Sequence, residues 1–266
     1  MKNSLLVAMT LLVPAWAGDA PNPQLSCDPS GFRIAGMVSV CTMTETSTSF
    51  SGSLTVTTPV GGISIVGWDQ PDVLVRARIE AAAPSLVQAE ELASRIQVNV
   101  AGDQVMANGP SQAGGDWSVT FEIFVPRAAD LLLNTKLGGI SIVDVSGTIR
   151  FSAALGGVTL VRLAGDVAGS AGLGGISCVL DGDHWDGEGL AVKTGEGGIE
   201  FKAAANYSAH FVLSTGLGKI DASYLGGTVA PTNGFHLANE LTFDAGSGGA
   251  TIAAQTQLGG IAIRGN

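Results

Sequence analysis

Charge, aromatic side chains, proline and cysteine are all scarce in this chain of 266 residues. Only 14% of the residues are charged and 6% are aromatic, with 10 prolines and three cysteines. The low charge, together with 45% hydrophobic residues, excludes a disordered chain. Basic residues are outnumbered 13 to 23 by acids, which excludes a basic nucleic-acid binder. So few prolines, with no three-residue glycine period, exclude collagen.

Glycine, by contrast, is abundant, at 38 residues, and this content excludes a coiled coil. The chain carries a net charge of −10, which suits a soluble protein that anionic lipid and nucleic acid repel. It is long enough for one large domain or two ordinary ones.

The N-terminus predicts export. Residues 1–17 have the features of a signal peptide: a basic start at Lys2, an apolar stretch over 5–13 and the small-x-small site Ala15-Trp16-Ala17. No other segment reaches 18 consecutive apolar residues, so we expect no transmembrane helix in the mature chain. The predicted location is therefore periplasmic, cell-surface or extracellular.

The cysteines fit an exported protein. Cys27 and Cys41 are 14 residues apart in a segment over 18–50, and in an oxidising compartment they are candidates for a disulfide. Cys178 lies in a predicted strand, where we expect a small buried side chain. The remaining residues, 51–266, form the predicted main domain.

An internal repeat dominates this domain. Its copies share a Gly-Gly doublet followed by an apolar-x-apolar triplet, as in Leu54–Ile65 and Leu131–Ile142. Further copies span 149–160, 167–178, 190–201, 211–222, 241–252 and 252–263. The consensus is apolar-x-apolar-polar-(Thr or Ala)-x-Leu-Gly-Gly-Ile-x-Ile, and Lys219 is the one replacement of the second glycine.

Each copy predicts a strand, a glycine corner and a second strand, because apolar residues alternate with period two. Copies spaced by 18 to 21 residues predict an all-β fold, a parallel β-solenoid or β-roll, rather than an ordinary β-sandwich. The residues after the glycine doublets should stack inward: Ile140, Val158, Ile176, Ile199, Ile220 and Ile261. The last step of 11 residues indicates half a coil, with Ile252 serving two copies.

Residues 66–130 interrupt the repeat. Residues 73–79 alternate as a strand, and two more strands are predicted near 96–106 and 117–125. Between them, Ser85 and Gln88 form a capping-box pattern, which predicts one short amphipathic helix over 85–96. This helix would cover an edge of the first coils. No comparable cap precedes the C-terminus, so 261–266 is predicted to form an edge that is either exposed or covered by a partner.

The stretch Val60–Val75, Val-Gly-Gly-Ile-Ser-Ile-Val-Gly-Trp-Asp-Gln-Pro-Asp-Val-Leu-Val, resembles the opening of the bacterial putative-adhesin family, a domain of unknown function. The later Leu-Gly-Gly-Ile-x-Ile copies are similar to that family's stacked repeats, so the resemblance covers most of 50–266. It implies a β-solenoid that is exported or envelope-associated. It implies no catalytic residues and no cofactor.

Motifs for catalysis are missing. The sequence has no Gly-x-Ser-x-Gly elbow, no dinucleotide fingerprint and no phosphate loop. His184, His210 and His236 fit no zinc-binding spacing. The acidic segment 181–189 is a weak calcium candidate, since carboxylates on a glycine-rich loop suit that ion. Its ligands would be Asp181, Asp183, Asp186 and Glu188. The alternative is a solvated loop with Trp185 packed on the core.

A polar position lies between the two apolar residues after each glycine doublet and should point outward. It is occupied by Ser64, Ser141, Thr159, Ser177, Glu200, Asp221, Thr251 and Ala262. In this order Glu200 lies beside Asp221, where the two carboxylates would repel each other unless solvated or bridged by a cation.

Three functions follow from these observations. The first is a non-enzymatic adhesin or interaction module at the cell envelope, with a protein or polysaccharide partner. The second is a carbohydrate-active, lyase-like solenoid enzyme, whose acids and bases would be Asp181, Asp183 and Glu200 with Lys193 or Lys202. The third is a structural protein that assembles end to end through the C-terminal edge at Ile261 and Ile263.

Overall fold

The computed structural model describes residues 25–27, 34, 36–111, 115–228 and 239–266. The predicted signal peptide over 1–17 lies outside these residues, as does His236. Over the described ranges, no helix is both long enough and apolar enough to cross a membrane.

Most of the described chain is β-strand. In chain order the strands are β1 (Val38–Ser49), β2 (Ser53–Val60), β3 (Ile63–Trp68), β4 (Asp72–Ala83), β5 (Gln97–Ala101), β6 (Gln104–Asn108), β7 (Asp116–Pro126), β8 (Asp130–Leu137), β9 (Ile140–Val143), β10 (Ser146–Leu155), β11 (Val158–Val161), β12 (Ala164–Leu173), β13 (Ile176–Val179), β14 (Gly189–Glu196), β15 (Ile199–Ala203), β16 (Ala209–Leu217), β17 (Ile220–Asp221), β18 (Asn239–Ala245), β19 (Thr251–Leu258) and β20 (Ile261–Gly265). The helices of the described residues are α1 (Leu86–Ser94) and a 3-10 turn over Ser223–Leu225.

The strands form two ten-stranded sheets around one core. The first sheet has the order β1-β4-β7-β3-β9-β11-β13-β15-β20-β17, and the second has the order β18-β16-β19-β14-β12-β10-β8-β2-β6-β5. The two sheets share a single cluster of buried apolar side chains. Their outer faces therefore point away from each other.

The prediction of an all-β fold with one short helix is confirmed, but the prediction that its strands are parallel throughout is wrong. The central strands pair in parallel, as in β9–β11 and β11–β13. The sheet ends contain antiparallel pairs: β1–β4, β4–β7, β5–β6 and β16–β18. Only β5 and β6 are joined by a short connection, the kind that gives an antiparallel hairpin. The other three pairs join strands that are separated by at least 20 residues and lie at the ends of the parallel stack.

We call a strand of the second sheet, the glycine corner and the following strand of the first sheet a unit. Residues 18 apart pair between units 130–143, 146–161 and 164–179, for example Ile140 with Val158 and Val158 with Ile176. All six residues predicted to stack inward are buried. Alternation along each strand therefore assigned this part of the core correctly.

The order of the last units differs from the prediction. The unit of β19 and β20 does not follow β16 and β17 in space but lies between them and β14 and β15: Ile261 pairs with both Ile199 and Ile220. The copy 241–252 is not a unit, because β18 runs antiparallel to β16. Ile252 therefore serves one unit only, the last one.

This order removes the predicted open C-terminal edge. Ile261 and Ile263 are 1% and 0% exposed, and β20 has a neighbouring strand on each side. The predicted edge is therefore occupied by β17 at Ile261, and both side chains are buried in the core rather than presented to a second copy. The strand that ends the first sheet is β17, which has only two residues.

The corner depends on the first glycine of each doublet rather than the second. Gly138, Gly156 and Gly174 have φ values of 147°, 147° and 146°. A Cβ on Gly156 would lie 2.2 Å from the carbonyl oxygen of Gly138 in the neighbouring unit. The second glycine, Gly157, has no left-handed φ, and its nearest such contact is 3.5 Å. The fold can therefore accept Lys219 at a second position.

Buried threonines at the Thr/Ala position of the consensus link neighbouring units. Thr135, Thr194, Thr256 and Thr215 donate through Oγ1 to the corner carbonyls of Gly61, Gly174, Gly197 and Gly259 at 2.8–3.0 Å. In each case the accepting glycine belongs to the unit that precedes in space. These bonds give partners to carbonyls at the half-buried corners.

We expect Thr194→Val to reduce the free energy of unfolding by about 1–2 kcal/mol, because it leaves the Gly174 carbonyl without this donor at nearly constant volume. Thr159→Val is the matched control: Thr159 is exposed, and its change should stay within about 0.5 kcal/mol. Urea unfolding followed by circular dichroism measures both. Equal values for the two variants would contradict the role of the buried hydroxyl.

The N-terminal end has its own cover. α1 begins at its Ser85 cap, whose Oγ accepts the N–H of Gln88, and it packs on β4 and β1 with Ala89 buried. The predicted helix over 85–96 was two residues too long at its C-terminus, because Arg95 bonds to Leu92 in a tighter turn before β5. The interrupting strands near 96–106 and 117–125 correspond to β5, β6 and β7.

The segment assigned to 18–50 contributes to the first sheet. β1 pairs with β4 along its whole length, so the sheet begins at Val38 rather than after residue 50. A disulfide joins Cys27 to Cys41 with their Cα atoms 5.7 Å apart. Residues 25–27 thereby lie against the outer face of the sheet, where Arg78 donates to the Ser26 carbonyl at 3.3 Å.

Candidate functional site

Regular rows of side chains run along the outer face of the first sheet. The row that we call the polar rank contains, in spatial order, Ser64, Ser141, Thr159, Ser177, Glu200, Ala262 and Asp221. Two details of the predicted row are wrong. Thr251 belongs to β19 in the second sheet, and Ala262 separates Glu200 from Asp221 because β20 is inserted there.

A shallow groove of about 690 Å³ lies on the C-terminal half of this face. Its floor is the row of second glycines, Gly157, Gly175, Gly198 and Gly260, and its side is the polar rank from Thr159 onward. Hydroxyl, carboxylate and basic groups line it in turn, so it offers donors and acceptors along its whole length.

The far end of the groove carries an ion pair. Arg264 Nη1 lies 3.1 Å from Asp221 Oδ2, and Ser223 Oγ donates to Asp221 Oδ1 at 2.9 Å. The Ser223 hydroxyl and the Arg264 guanidinium hold the pKa of Asp221 below its ordinary value, so this carboxylate is ionised at neutral pH. Its charge is balanced by Arg264, and no bridging cation is required.

A second row, at the corner itself, is apolar and exposed. We call it the leucine ridge; in spatial order it contains Val60, Leu137, Leu155, Leu173, Glu196, Leu258 and Leu217. Its five leucines are 41–45% exposed. The sequence signal was the consensus leucine before each glycine doublet, which sequence analysis did not interpret as a surface.

The acidic loop 181–189 does not gather its carboxylates. Asp181, Asp183, Asp186 and Glu188 are all exposed. Within the described ranges, no three His, Cys, Asp or Glu side chains are grouped so that they could hold a metal ion. Asp183 instead pairs with His184 at 2.7 Å, which lowers the pKa of its carboxyl.

Trp185 anchors this loop. It is 6% exposed, and its Nε1 donates to the Gly165 carbonyl at 2.9 Å. The buried Trp185 ring and its hydrogen bond thus hold the loop on the core. This agrees with the alternative interpretation, a solvated loop whose Trp185 packs on the core.

The residues of the hypothetical carbohydrate-active site are divided between the two sheets. Lys193 is exposed on β14 in the second sheet, whereas Glu200 and Lys202 are on β15 in the first. The outer faces of the sheets point in opposite directions, so Lys193 cannot reach the side of Glu200. His210 pairs with Asp244 at 2.7 Å.

Salt bridges lie at the corner that follows the short strands of the first sheet, on the side opposite the glycine corner. Sequence analysis did not predict them. Arg127 pairs with Asp69 and Arg162 with Asp144, at 2.7 and 2.6 Å. These hydrogen bonds lower the pKa of both carboxyls. Asp144 and Arg162 have φ values of 59° and 50°, because each occupies the tight turn after a short strand. The 18-residue spacing of these two residues was the available signal.

Comparison with known proteins gives only structural similarities. No protein-family model and no curated protein matches the chain. Solved structures with a similar course include a putative cell adhesion protein from Clostridium sporogenes (14% identity, 85% of this chain and 100% of that one, TM-score 0.42). A putative adhesin from Bacteroides fragilis has 13% identity over 84% and 97% of the two chains, with a TM-score of 0.32.

A third structure is named as a putative lipid binding protein, from Parabacteroides distasonis. It has 11% identity over 84% of this chain and 96% of that one, with a TM-score of 0.25. All three TM-scores lie below 0.5, so the function has to be argued from the site.

Proposed function

We propose that this chain is an exported, non-enzymatic adhesin of the bacterial cell envelope. In this proposal its parallel units form a short β-solenoid, and the outer face of the first sheet binds an extended polysaccharide. The observation that carries the proposal is the polar rank beside a groove of about 690 Å³. Each strand of the rank except β20, which has Ala262, presents one hydroxyl or charged group, and neighbouring strands are about 4.8 Å apart. This arrangement matches a polymer with many hydroxyl groups rather than a compact ligand.

Further observations support export and an interaction role. The signal-peptide pattern and the Cys27–Cys41 disulfide fit an oxidising compartment. The resemblance of Val60–Val75 to the putative-adhesin family supports a location at the cell envelope, because members of that family are exported or envelope-associated. The separation of Lys193 from Glu200 disfavours the version of the lyase-like site that uses Lys193, because catalysis needs both groups at one bond. The version with Lys202 keeps its base beside Glu200 on β15 and remains the second candidate function.

The test is sedimentation of the purified protein with insoluble peptidoglycan and with cellulose. We expect wild type to sediment with at least one of them and the double variant Thr159→Arg/Ser177→Arg to bind about tenfold more weakly, because two long side chains then fill the groove. Both positions are on the surface, in neighbouring strands, so the fold should persist.

Ser152→Arg/Ser170→Arg is the matched control. These two serines are also paired in neighbouring strands, but on the outer face of the second sheet. The control should bind like wild type. Equal loss of binding in both double variants, or no binding of wild type to either polymer, would contradict the proposed surface.

A further inference from the structure

The leucine ridge lies outside the proposed polysaccharide surface and exposes more apolar area than solvation alone would favour. Leu137, Leu155 and Leu173 project from three successive corners, and Leu258 and Leu217 project from two more beyond Glu196; all five are 41–45% exposed. One glycine follows Leu217 and two follow each of the others. The residue before Leu155, Leu173 and Leu217 is alanine or glycine, whereas Leu137 and Leu258 follow a lysine and a glutamine. An exposed apolar row of this kind indicates an interaction site.

The charges along this strip are few and have a definite arrangement. Glu196 is the one ridge position that is charged, in the fifth of the seven rows. Lys136, in the second row, is exposed directly before Leu137. The chain as a whole carries −10, so most of its surface repels a second copy, and the nearly neutral ridge repels it least.

We propose that the leucine ridge is a dimer interface that binds the ridge of a second copy in antiparallel orientation. A two-fold axis between the third and fourth rows places Leu155 of one copy against Leu173 of the other. The same axis places Glu196 of each copy beside Lys136 of its partner, and Val60 opposite Leu258. A two-fold interface must be self-complementary. The axis satisfies this condition for Leu155 with Leu173, for Val60 with Leu258 and for the opposite charges of Glu196 and Lys136; it also places Leu137 opposite Glu196 and leaves Leu217 beyond the paired rows.

A membrane or a lipid fits the leucine ridge less well than a second copy does. An anionic membrane is disfavoured by the net charge of −10. A neutral lipid would make no use of the matched positions of Glu196 and Lys136. A strip one leucine wide is small for an interface, so the dimer should be weak, with a dissociation constant of about 1–100 µM.

Analytical ultracentrifugation of the purified full chain over a concentration series tests the interface. Wild type should show a monomer–dimer equilibrium, and Leu155→Glu/Leu173→Glu should weaken it by about 100-fold, because four carboxylates then meet at the axis. Leu132→Glu is the matched control: Leu132 is 45% exposed on the second sheet but outside the ridge, and it should dimerise like wild type.

A charge swap tests the orientation. Glu196→Lys and Lys136→Glu should each weaken the dimer by about tenfold, since each places like charges together at two symmetric contacts. The double variant should restore the affinity to within about threefold of wild type. Circular dichroism on each variant confirms that the fold is retained.

The outcomes that overturn the proposal are distinct. A wild type that stays monomeric throughout, or a dimer that Leu155→Glu/Leu173→Glu leaves intact, excludes the ridge as the dimer interface. Failure of the double charge variant to recover excludes the antiparallel two-fold arrangement. Binding of monomeric protein to phosphatidylcholine vesicles, lost in the Leu155→Glu/Leu173→Glu variant, would assign the ridge to lipid instead. None of these results depends on polysaccharide binding.

Discussion

Gly156→Ala should prevent stable folding, whereas Gly157→Ala, one residue further on, should be tolerated. The Cβ that the first change adds would lie 2.2 Å from the carbonyl oxygen of Gly138, and φ at this position is 147°. Backbone strain and steric overlap together cost about 4 kcal/mol, a large part of the stability of a typical domain. The new Cβ cannot move away from the Gly138 oxygen, because the Gly156 N–H donates a hydrogen bond to the Leu173 carbonyl in the next strand and holds the backbone in place.

Gly157 provides the matched control. It is exposed, its φ lies outside the left-handed region, and its nearest Cβ contact is an ordinary 3.5 Å to the Gly175 oxygen. Gly157→Ala should change the free energy of unfolding by about 1 kcal/mol or less. Soluble yield and urea unfolding distinguish the two variants. Equal stability of both would show that the first glycine does not form the corner as described.

Removal of residues 250–266 should unfold the C-terminal part of both sheets, not merely shorten them. The deletion takes away β19 and β20, which separate β14 and β15 from β16 and β17. It removes the buried Ile252, Ile261 and Ile263, worth about 5–9 kcal/mol of apolar burial together. Limited proteolysis should then cleave within 190–228, whereas the same segment of the intact chain should resist cleavage.

A pair of engineered cysteines provides the control for this strand order. Gln255 pairs with Lys193 across β14 and β19, so Lys193→Cys/Gln255→Cys should form a disulfide on oxidation. Lys193→Cys/Ser214→Cys should not, since β19 lies between these strands. Cross-linking of the second pair, or continued protection of 190–228 after the deletion, would contradict the insertion of the last unit.

The prediction of the individual unit was good because its signals are local. Alternation along each strand determines which side chains are buried, and Ile140, Val158 and Ile176 were correctly assigned to the core. The capping pattern at Ser85 located α1 for the same reason. The antiparallel ends were not predicted, since they depend on pairing between strands such as β1 and β4 that are distant in sequence.

The candidate sites were less predictable. Strict alternation along β8 from the buried Leu131, Leu133 and Thr135 would also bury Leu137, yet the chain turns there and leaves it 42% exposed. Sequence analysis found all seven members of the polar rank, but it wrongly added Thr251 and did not predict the order of the last members. The acidic composition of the loop 181–189 suggested a calcium site, but composition does not determine whether the carboxylates lie close enough together to bind one ion.

The sequence by itself therefore determined the strand–corner–strand unit, its buried residues and the position of its glycines. These features follow from periodicity and from the steric needs of one tight corner. Only the tertiary structure decided that the last unit is inserted, that Ala262 separates Glu200 from Asp221 and that the leucines form an exposed ridge. Every unit presents similar backbone hydrogen-bonding edges and the same threonine-to-glycine bond, so a single copy of the repeat does not specify its neighbours; that choice depends on the side-chain packing between whole units.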